Sequence, residues 1–211
     1  MIDFSKFDSL IAMTMYFNNE DTCRQAIVEK RWGVGDEQDV ICPYCGEHHC
    51  ATRKDGRFRC NKCKRNFSCR VGTIFEDSNL SLVKWFIAMY LISSHKKGVS
   101  SCQLARDIKV TQTTAWYMLH KVRKLYGQDD SNAFVGEVYT NNIEGFWSHF
   151  RRMITGCYHD VSDEHLQSYI DEAVYRWNTR KASQSERFSD MFNKSIGLIV
   201  TWDELRLCEA A

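Results

Sequence analysis

Two Cys-x-x-Cys pairs, Cys42-Pro43-Tyr44-Cys45 and Cys60-Asn61-Lys62-Cys63, are the residues whose type and spacing point most directly to chemistry. Each pair lets two thiolates from one tight turn grip a metal ion, and two such knuckles close a tetrahedral S4 site of the kind zinc prefers. A structural zinc on Cys42, Cys45, Cys60 and Cys63 is therefore the expected cofactor. Redox use and disulfide pairing are the alternatives. A redox Cys-x-x-Cys comes singly near a βαβ pattern, and disulfides need an oxidising compartment that the N-terminus does not indicate. Cys50, Cys69, His48 and His49 are spare soft ligands nearby, whereas Cys23, Cys102, Cys157 and Cys208 read as small buried apolar residues.

The charge around this site is local. The formal net charge is only +1, which argues against a nucleic-acid coat protein but says nothing of patches. Between Cys42 and Arg70 the chain carries Arg53, Lys54, Arg57, Arg59, Lys62, Lys64, Arg65 and Arg70 against Glu47 and Asp55. The start of the chain holds Asp3, Lys6 and Asp8 and lacks a secretory pattern. The longest apolar run, Leu82 to Ile92, is interrupted by Lys84 and is far shorter than a bilayer needs. A soluble, cytoplasmic, nucleoid-associated protein with no membrane partner is expected.

The elements that must position these residues are mostly helical. Asn18 or Asn19 caps a helix to Arg31, with Glu20 and Asp21 first and Lys30 and Arg31 last, and Trp32-Gly33 ends it. Arg57-Phe58-Arg59 and residues 65–68 alternate as short strands around the second knuckle. The segment from Asn79 to Leu91 is apolar around most of its circumference and predicts a buried core helix carrying Trp85.

Ser100 caps a helix to Ile108, and Thr111 caps another to about Tyr126. This pair has the pattern of a helix-turn-helix. On the second helix, Ala115, Met118, Leu119 and Val122 share one face, while Thr113, Tyr117, His120 and Lys124 lie opposite. Recognition helices need short polar groups near the N-terminus for base edges and cations beyond for phosphates. Gln112, Thr113 and His120 suit the first task, and Lys121, Arg123 and Lys124 the second, with Tyr117 on the same face. A plain αα-hairpin with a solvated basic face is the structural alternative.

Residues 127–139 read as a linker in which Ala133 to Val138 alone has strand character. A stripe of Ile143, Trp147, Phe150 and Ile154 follows, stopped by Gly156 and flanked by Arg151 and Arg152, which are further expected DNA contacts. Ser162 opens a helix with a stripe from Leu166 to Trp177, another spans Gln184 to Ile196, and Thr201 caps a last short one.

Several of these stretches, in order, resemble bacterial insertion-sequence transposases that have an N-terminal zinc ribbon, a helix-turn-helix and a DDE-type catalytic domain of ribonuclease-H-like fold. The matching residues are Arg31-Trp32-Gly33, Cys42-Pro43-Tyr44-Cys45-Gly46, Gly72-Thr73-Ile74-Phe75, Lys97-Gly98-Val99-Ser100, Gln103-Leu104-Ala105 and Thr114-Ala115-Trp116. Near the other end, Thr140-Asn141-Asn142-Ile143-Glu144-Gly145-Phe146-Trp147-Ser148 looks like the family's final catalytic motif, followed by Tyr158-His159 and Asn178-Thr179-Arg180. The resemblance makes Glu144 the counterpart of the last catalytic acid. It implies Mg or Mn as cofactor only if the protein is catalytically active.

One departure is large. Such a family places two catalytic Asp residues on a sheet between the helix-turn-helix and the Glu motif. Here Gly136-Glu137-Val138 looks like the start of the first strand and runs straight into the motif. Lys124 and Glu144 are about twenty residues apart, whereas five strands and their connections need on the order of a hundred. Phosphodiester hydrolysis and strand transfer need two divalent ions held by several carboxylates, which a lone glutamate cannot supply. Asp129 and Asp130 are adjacent linker charges. Asn141-x-x-Glu144 also has nearly the spacing of a capping box.

The expected fold is mainly α with a small β zinc ribbon, a helix-turn-helix and C-terminal helices, the ribonuclease-H-like sheet missing. Its parts are an N-terminal helical segment (1–36), the ribbon (37–72), the core helix and helix-turn-helix (73–126), a deletion junction (127–140) and remnant C-terminal helices (141–211). The expected function is a transposase-derived DNA-binding protein that binds the inverted terminal repeats of an insertion sequence and is defective in cleavage and strand transfer. An active DDE transposase is the alternative, and a zinc-stabilised regulatory or interaction module a third. A homodimer, or a mixed oligomer with an intact transposase, is the expected assembly.

Overall fold

The computed structural model describes residues 2–35, 38–127 and 140–207. Helices start where short polar side chains satisfy the orphan N–H groups of a first turn. Ser9, Asn19, Ser100 and Thr111 each accept a hydrogen bond from the backbone N–H three residues on. They open α1 (Leu10–Tyr16), α2 (Glu20–Trp32), α4 (Ser101–Ile108) and α5 (Gln112–Tyr126). Gly33, at φ 81°, ends α2 in a conformation that costs glycine nothing.

Three short antiparallel strands follow α2 in the order β1 (Ala51–Thr52), β2 (Phe58–Arg59), β3 (Asn66–Phe67). Phe58 pairs with Phe67 across β2 and β3, and both rings pack edge-on to Trp32 with centroids 5.0 and 6.1 Å away. Alternation then sends their neighbours, the paired Arg59 and Asn66, to the solvent face.

The hub of the molecule is α3 (Leu82–Ser94), whose Trp85, Phe86, Met89 and Tyr90 are buried and which touches α1, α2, α4, α5 and α8. On α8 (Gln184–Lys194), begun by a Ser183–Glu186 capping box, Phe188 and Phe192 pack on Phe86, and Phe188 on Tyr90. The chain beyond α8 is clipped to the segment leaving the ribbon. Ile74 N–H donates to Ser195 O (3.2 Å), and Gly197 N–H to Gly72 O (3.1 Å).

A second, smaller core lies between α6 (Thr140–Met153) and α7 (Leu166–Asn178), where Phe146, Met153, Ala173 and Val174 are buried together. Gly145 allows the close approach, since a Cβ there would stand 3.0 Å from Cη2 of Trp177. Gly156 does not stop this helix, contrary to expectation. A π-helical turn, Ile154–Tyr158, continues it, and the break comes at His159 with φ 62°. Finally α9 (Trp202–Leu207) opens on a reciprocal Thr201–Glu204 capping pair and packs on α5.

The fold is thus mainly α with one small sheet among the described residues, and the C-terminal helices cover α3, α5 and each other. The strand expected at 133–138 and the Asp129-Asp130 pair lie outside the described residues.

Candidate metal centre and nucleic-acid interface

The two knuckles bring the Sγ atoms of Cys42, Cys45, Cys60 and Cys63 within 4.8 Å of one another. Cross-knuckle pairs stand 3.7 Å (Cys42–Cys63) and 3.5 Å (Cys45–Cys60) apart. Sulfurs about 2.3 Å from a tetrahedral zinc are separated by roughly 3.8 Å, whereas a disulfide needs about 2.05 Å. The donor set therefore fits a closed structural zinc site. Both knuckles share a device, since the residue after the second cysteine is left-handed in each, Gly46 at φ 69° and Lys64 at φ 61°. The Cys63 N–H points at Cys60 Sγ (3.4 Å), as a thiolate ligand requires. His48 and His49 turn to Asp39 instead, and Cys50 Sγ donates to Glu47 O (3.6 Å). Of the scattered cysteines, Cys23 is buried, Cys157 half-buried and Cys102 exposed, which corrects the expectation for Cys102, while Cys208 lies outside the described residues.

The outward face of the ribbon is cationic. Arg53, Lys54, Arg57, Arg59, Lys62, Lys64 and Arg65 are all exposed. Arg53 and Lys62 have acidic neighbours, the exposed Asp55 at 3.5 Å and the half-buried Glu47 at 3.2 Å, surface pairs that screen little. Arg70 is different. Its guanidinium donates to Ser78 O, Leu80 O and Glu20, tying the ribbon to α2 and the start of α3.

On α5 the structure divides the residues singled out by sequence. Gln112 and Thr113 are exposed, with Gln112 Nε2 donating to Ser101 Oγ (2.9 Å). Tyr117 is half-buried beneath Trp202 of α9, with ring centroids 4.9 Å apart, and Lys124 is half-buried. His120 and Lys121 are corrections to the expected recognition face, at 2 % and 1 % exposure. The His120 ring lies 4.1 Å from Trp116 and 4.4 Å from His165, and burial, then Arg123, pushes its pKa down to about 2. It is neutral at neutral pH and faces α7. Lys121 Nζ donates to Ile74 O (3.0 Å) and Glu76 O (3.1 Å), holding the post-ribbon turn.

Arg123 is likewise withdrawn from solvent. Its Nε donates to Glu172 Oε2 (2.9 Å), and its guanidinium lies over Tyr169, 4.0 Å from the ring centroid. Arg176 donates to the other carboxylate oxygen through Nε (3.0 Å) and Nη2 (2.6 Å), and Tyr158 Oη donates there as well (2.9 Å). Burial alone would raise the Glu172 pKa, but Arg176 and Arg123 bring it down to about 2. This buried network joins α5 to α7, and sequence reading missed it. The signal was Glu172 and Arg176 spaced i, i+4 with their apolar neighbours Ala173 and Val174.

Arg151 and Arg152 are exposed on α6, as is Glu144. Among the described residues the four cysteines are a group of three or more side chains able to share a metal, and Glu144 belongs to no such group. Residues 127–139 alone separate α5 from α6, whereas strands of five to six residues would need about thirty for a five-stranded sheet before any connection.

Profiles of two families match the chain. The transposase zinc-ribbon domain covers residues 18–66, α2 through the first residue of β3, and the ISXO2-like transposase domain covers residues 110–178, the span of α5, α6 and α7. The chain carries, in that order, matches to a zinc-ribbon and a transposase domain of insertion-sequence transposases. It is 31% identical over 104 residues to an uncharacterized protein in transposable element ISH50 of Halobacterium salinarum, which takes in 47% of this chain. The chain covers 33% of the length of that curated relative. No solved structure matches it. No helix among the described residues is long and apolar enough to cross a membrane.

Proposed function

We propose that this transposase-related protein binds DNA at the ends of an insertion sequence and does not cut or join it unaided. The observation that carries the reading is the set of seven exposed Lys and Arg side chains on the ribbon, whose knuckles the four-cysteine site ties together. Zinc supplies structure there, and cations on a fixed sheet face engage backbone phosphates, with Gln112 and Thr113 at the open N-terminus of α5 as the groups nearest in character to base readers. Lys124, Tyr117 and Arg151 stand as accessory contacts. His120 and Lys121 act inside the fold.

Glu144 is the remnant of an acid triad. Two metal ions in line need several carboxylates, and no segment long enough for the catalytic sheet lies between α5 and α6. Such a protein occupies element ends without processing them. The outer side of α6, where Trp147 is 55% exposed beside Ile143, supports pairing with a second copy or with an intact transposase.

A mobility-shift titration with duplexes carrying terminal repeats and with scrambled duplexes, with and without a zinc chelator, tests the binding. Tighter binding to the repeats that is lost on chelation is expected. Equal, weak binding to both duplexes would sink the end-binding reading. Strand transfer by the purified protein with magnesium or manganese, abolished in Glu144→Gln, would overturn the inactive assignment.

A further inference from the structure

A second cationic surface lies on the side of the molecule formed by α6, α7 and α8. A groove of about 640 Å³ is lined there by Lys96, Lys97, Arg152, Arg180, Lys181 and Arg187, together with His149, Trp177 and the paired Arg176. These six cations come from four separate segments: the loop after α3, α6, the turn after α7 and α8. Among the described residues no Asp or Glu lines it, although the whole chain is nearly neutral.

The groove is built, not a chance gathering of long side chains. Arg187 is 8% exposed, and its Nε has no hydrogen-bond partner among the described residues. A buried guanidinium with an unmet donor is costly unless an anion completes it. His149 Nε2 is buried without such a partner as well, and burial, then Arg176 and Arg152, holds that ring toward its neutral form. Arg180 is preorganised, stacked on Trp177 at 4.6 Å and donating from Nη1 to Trp177 O (2.8 Å). Beneath them Arg176 donates to Ile92 O and His95 O, which fixes the base of the Lys96-Lys97 loop.

We infer that this groove is a phosphate-binding site, and that its occupant is a run of phosphodiesters in a nucleic-acid backbone. The number and spread of the cations favour several charges in series, as one strand offers every 3.4 Å or so along its axis, over a single small anion. Planar guanidinium forks suit phosphate oxygens. Attribution to a nucleic-acid backbone rests on the DNA-binding reading above; the phosphate chemistry does not.

The test uses the full, zinc-loaded chain in two arms. In the first, inorganic phosphate at millimolar concentration is compared with chloride at equal ionic strength by thermal melting, for the native chain, Arg187→Gln and the exposed double variant Lys96→Gln/Lys181→Gln. Phosphate is expected to raise the melting temperature of the native chain and to do so less in both variants. In the second, anisotropy of a labelled duplex is followed from about 50 to 200 mM salt. The double variant is expected to bind about tenfold more weakly at low salt, with the log–log salt slope shallower by about 0.9 for each phosphate no longer neutralised. The exposed pair keeps the test informative if Arg187→Gln does not fold. Loss of the phosphate effect with an unchanged DNA slope would overturn the backbone assignment and leave a free-phosphate site. No phosphate effect and an unchanged slope would overturn the site altogether, as would equal competition by a polyglutamate peptide. If the native chain binds no DNA, the end-binding reading fails and the phosphate arm alone decides the groove.

Discussion

The zinc ribbon and helix α5 are both cationic stretches of the chain, and they spend their charges in opposite ways. On the ribbon, Arg59 projects from a sheet whose other face is sealed by Phe58, Phe67 and Trp32, and Lys54, Arg57 and Lys64 are exposed on the turns around it. Among the described residues no further layer covers them. On α5, Lys121 and Arg123 point into the interior and are consumed by the carbonyls of Ile74 and Glu76 and by the Glu172 carboxylate. A two-layer ribbon leaves one face free, whereas a helix enclosed by α4, α7 and α9 has little free circumference. A basic stretch is therefore evidence for a polyanion surface only when the packing partners of its element are known.

The largest effect that would break this contrast is loss of the ribbon itself. Chelation of zinc, or Cys60→Ser, is expected to unfold residues 40–70, since structural zinc sites contribute on the order of 10 kcal/mol. Hydrogen exchange should show protection lost there while α3 and α8 remain protected. Equal loss across α5 and α7 would mean that the two regions are not separable.

Next comes the buried network. Glu172→Gln leaves two buried guanidinium groups without their shared carboxylate, and a loss of about 3–5 kcal/mol in unfolding free energy is expected. The same group gives a pH signature. Its folded pKa, about 2, lies below the ordinary 4.5, so its contribution is complete above pH 4.5 and disappears as pH falls toward 2. Denaturant titrations over that window should lose the corresponding slope in Glu172→Gln.

His120 acts in a higher window. Its folded pKa of about 2 is depressed from 6.5, so the unfolded chain takes up a proton that the folded chain refuses, and stability declines as pH falls below 6.5. His120→Gln should flatten the slope between pH 6.5 and 4.5. An unchanged slope would show that His120 is not the buried neutral group described.

Smaller, and aimed directly at the comparison, are paired charge removals. Arg59→Gln should change stability by no more than about 0.5 kcal/mol while making the salt dependence of DNA binding shallower by about 0.9. Arg123→Gln should do the reverse, lowering the melting temperature without altering the salt slope of the molecules that remain folded. The smallest effect is expected from Thr113→Ala, exposed at the start of α5, with stability within about 0.5 kcal/mol. A loss of preference for terminal repeats in that variant would identify α5 as a reading element.

Much of the architecture was legible because it is written locally. The helix caps at Asn19, Ser100, Thr111 and Thr201, the ending at Gly33 and the knuckle spacing depend on neighbours three or four residues away. The continuation of α6 through a π-helical turn was not legible, because Gly156 is a stop signal in isolation. Here Tyr158, just beyond it, is held by Glu172 of another helix. Nor could spacing show that Lys96, Arg152, Arg180 and Arg187 converge on one groove.

Sequence alone determined the spacing of the four clustered cysteines, the order of the helices from α2 onward with the caps at Asn19, Ser100, Thr111 and Thr201, and the shortness of the segment joining α5 to α6. These follow from covalent spacing and from hydrogen bonds within a few residues. Tertiary structure decided which charges are available. A Lys or Arg has the same local signature whether it reaches water or a buried carboxylate, and only the packing of distant elements distinguishes Arg59 from Arg123.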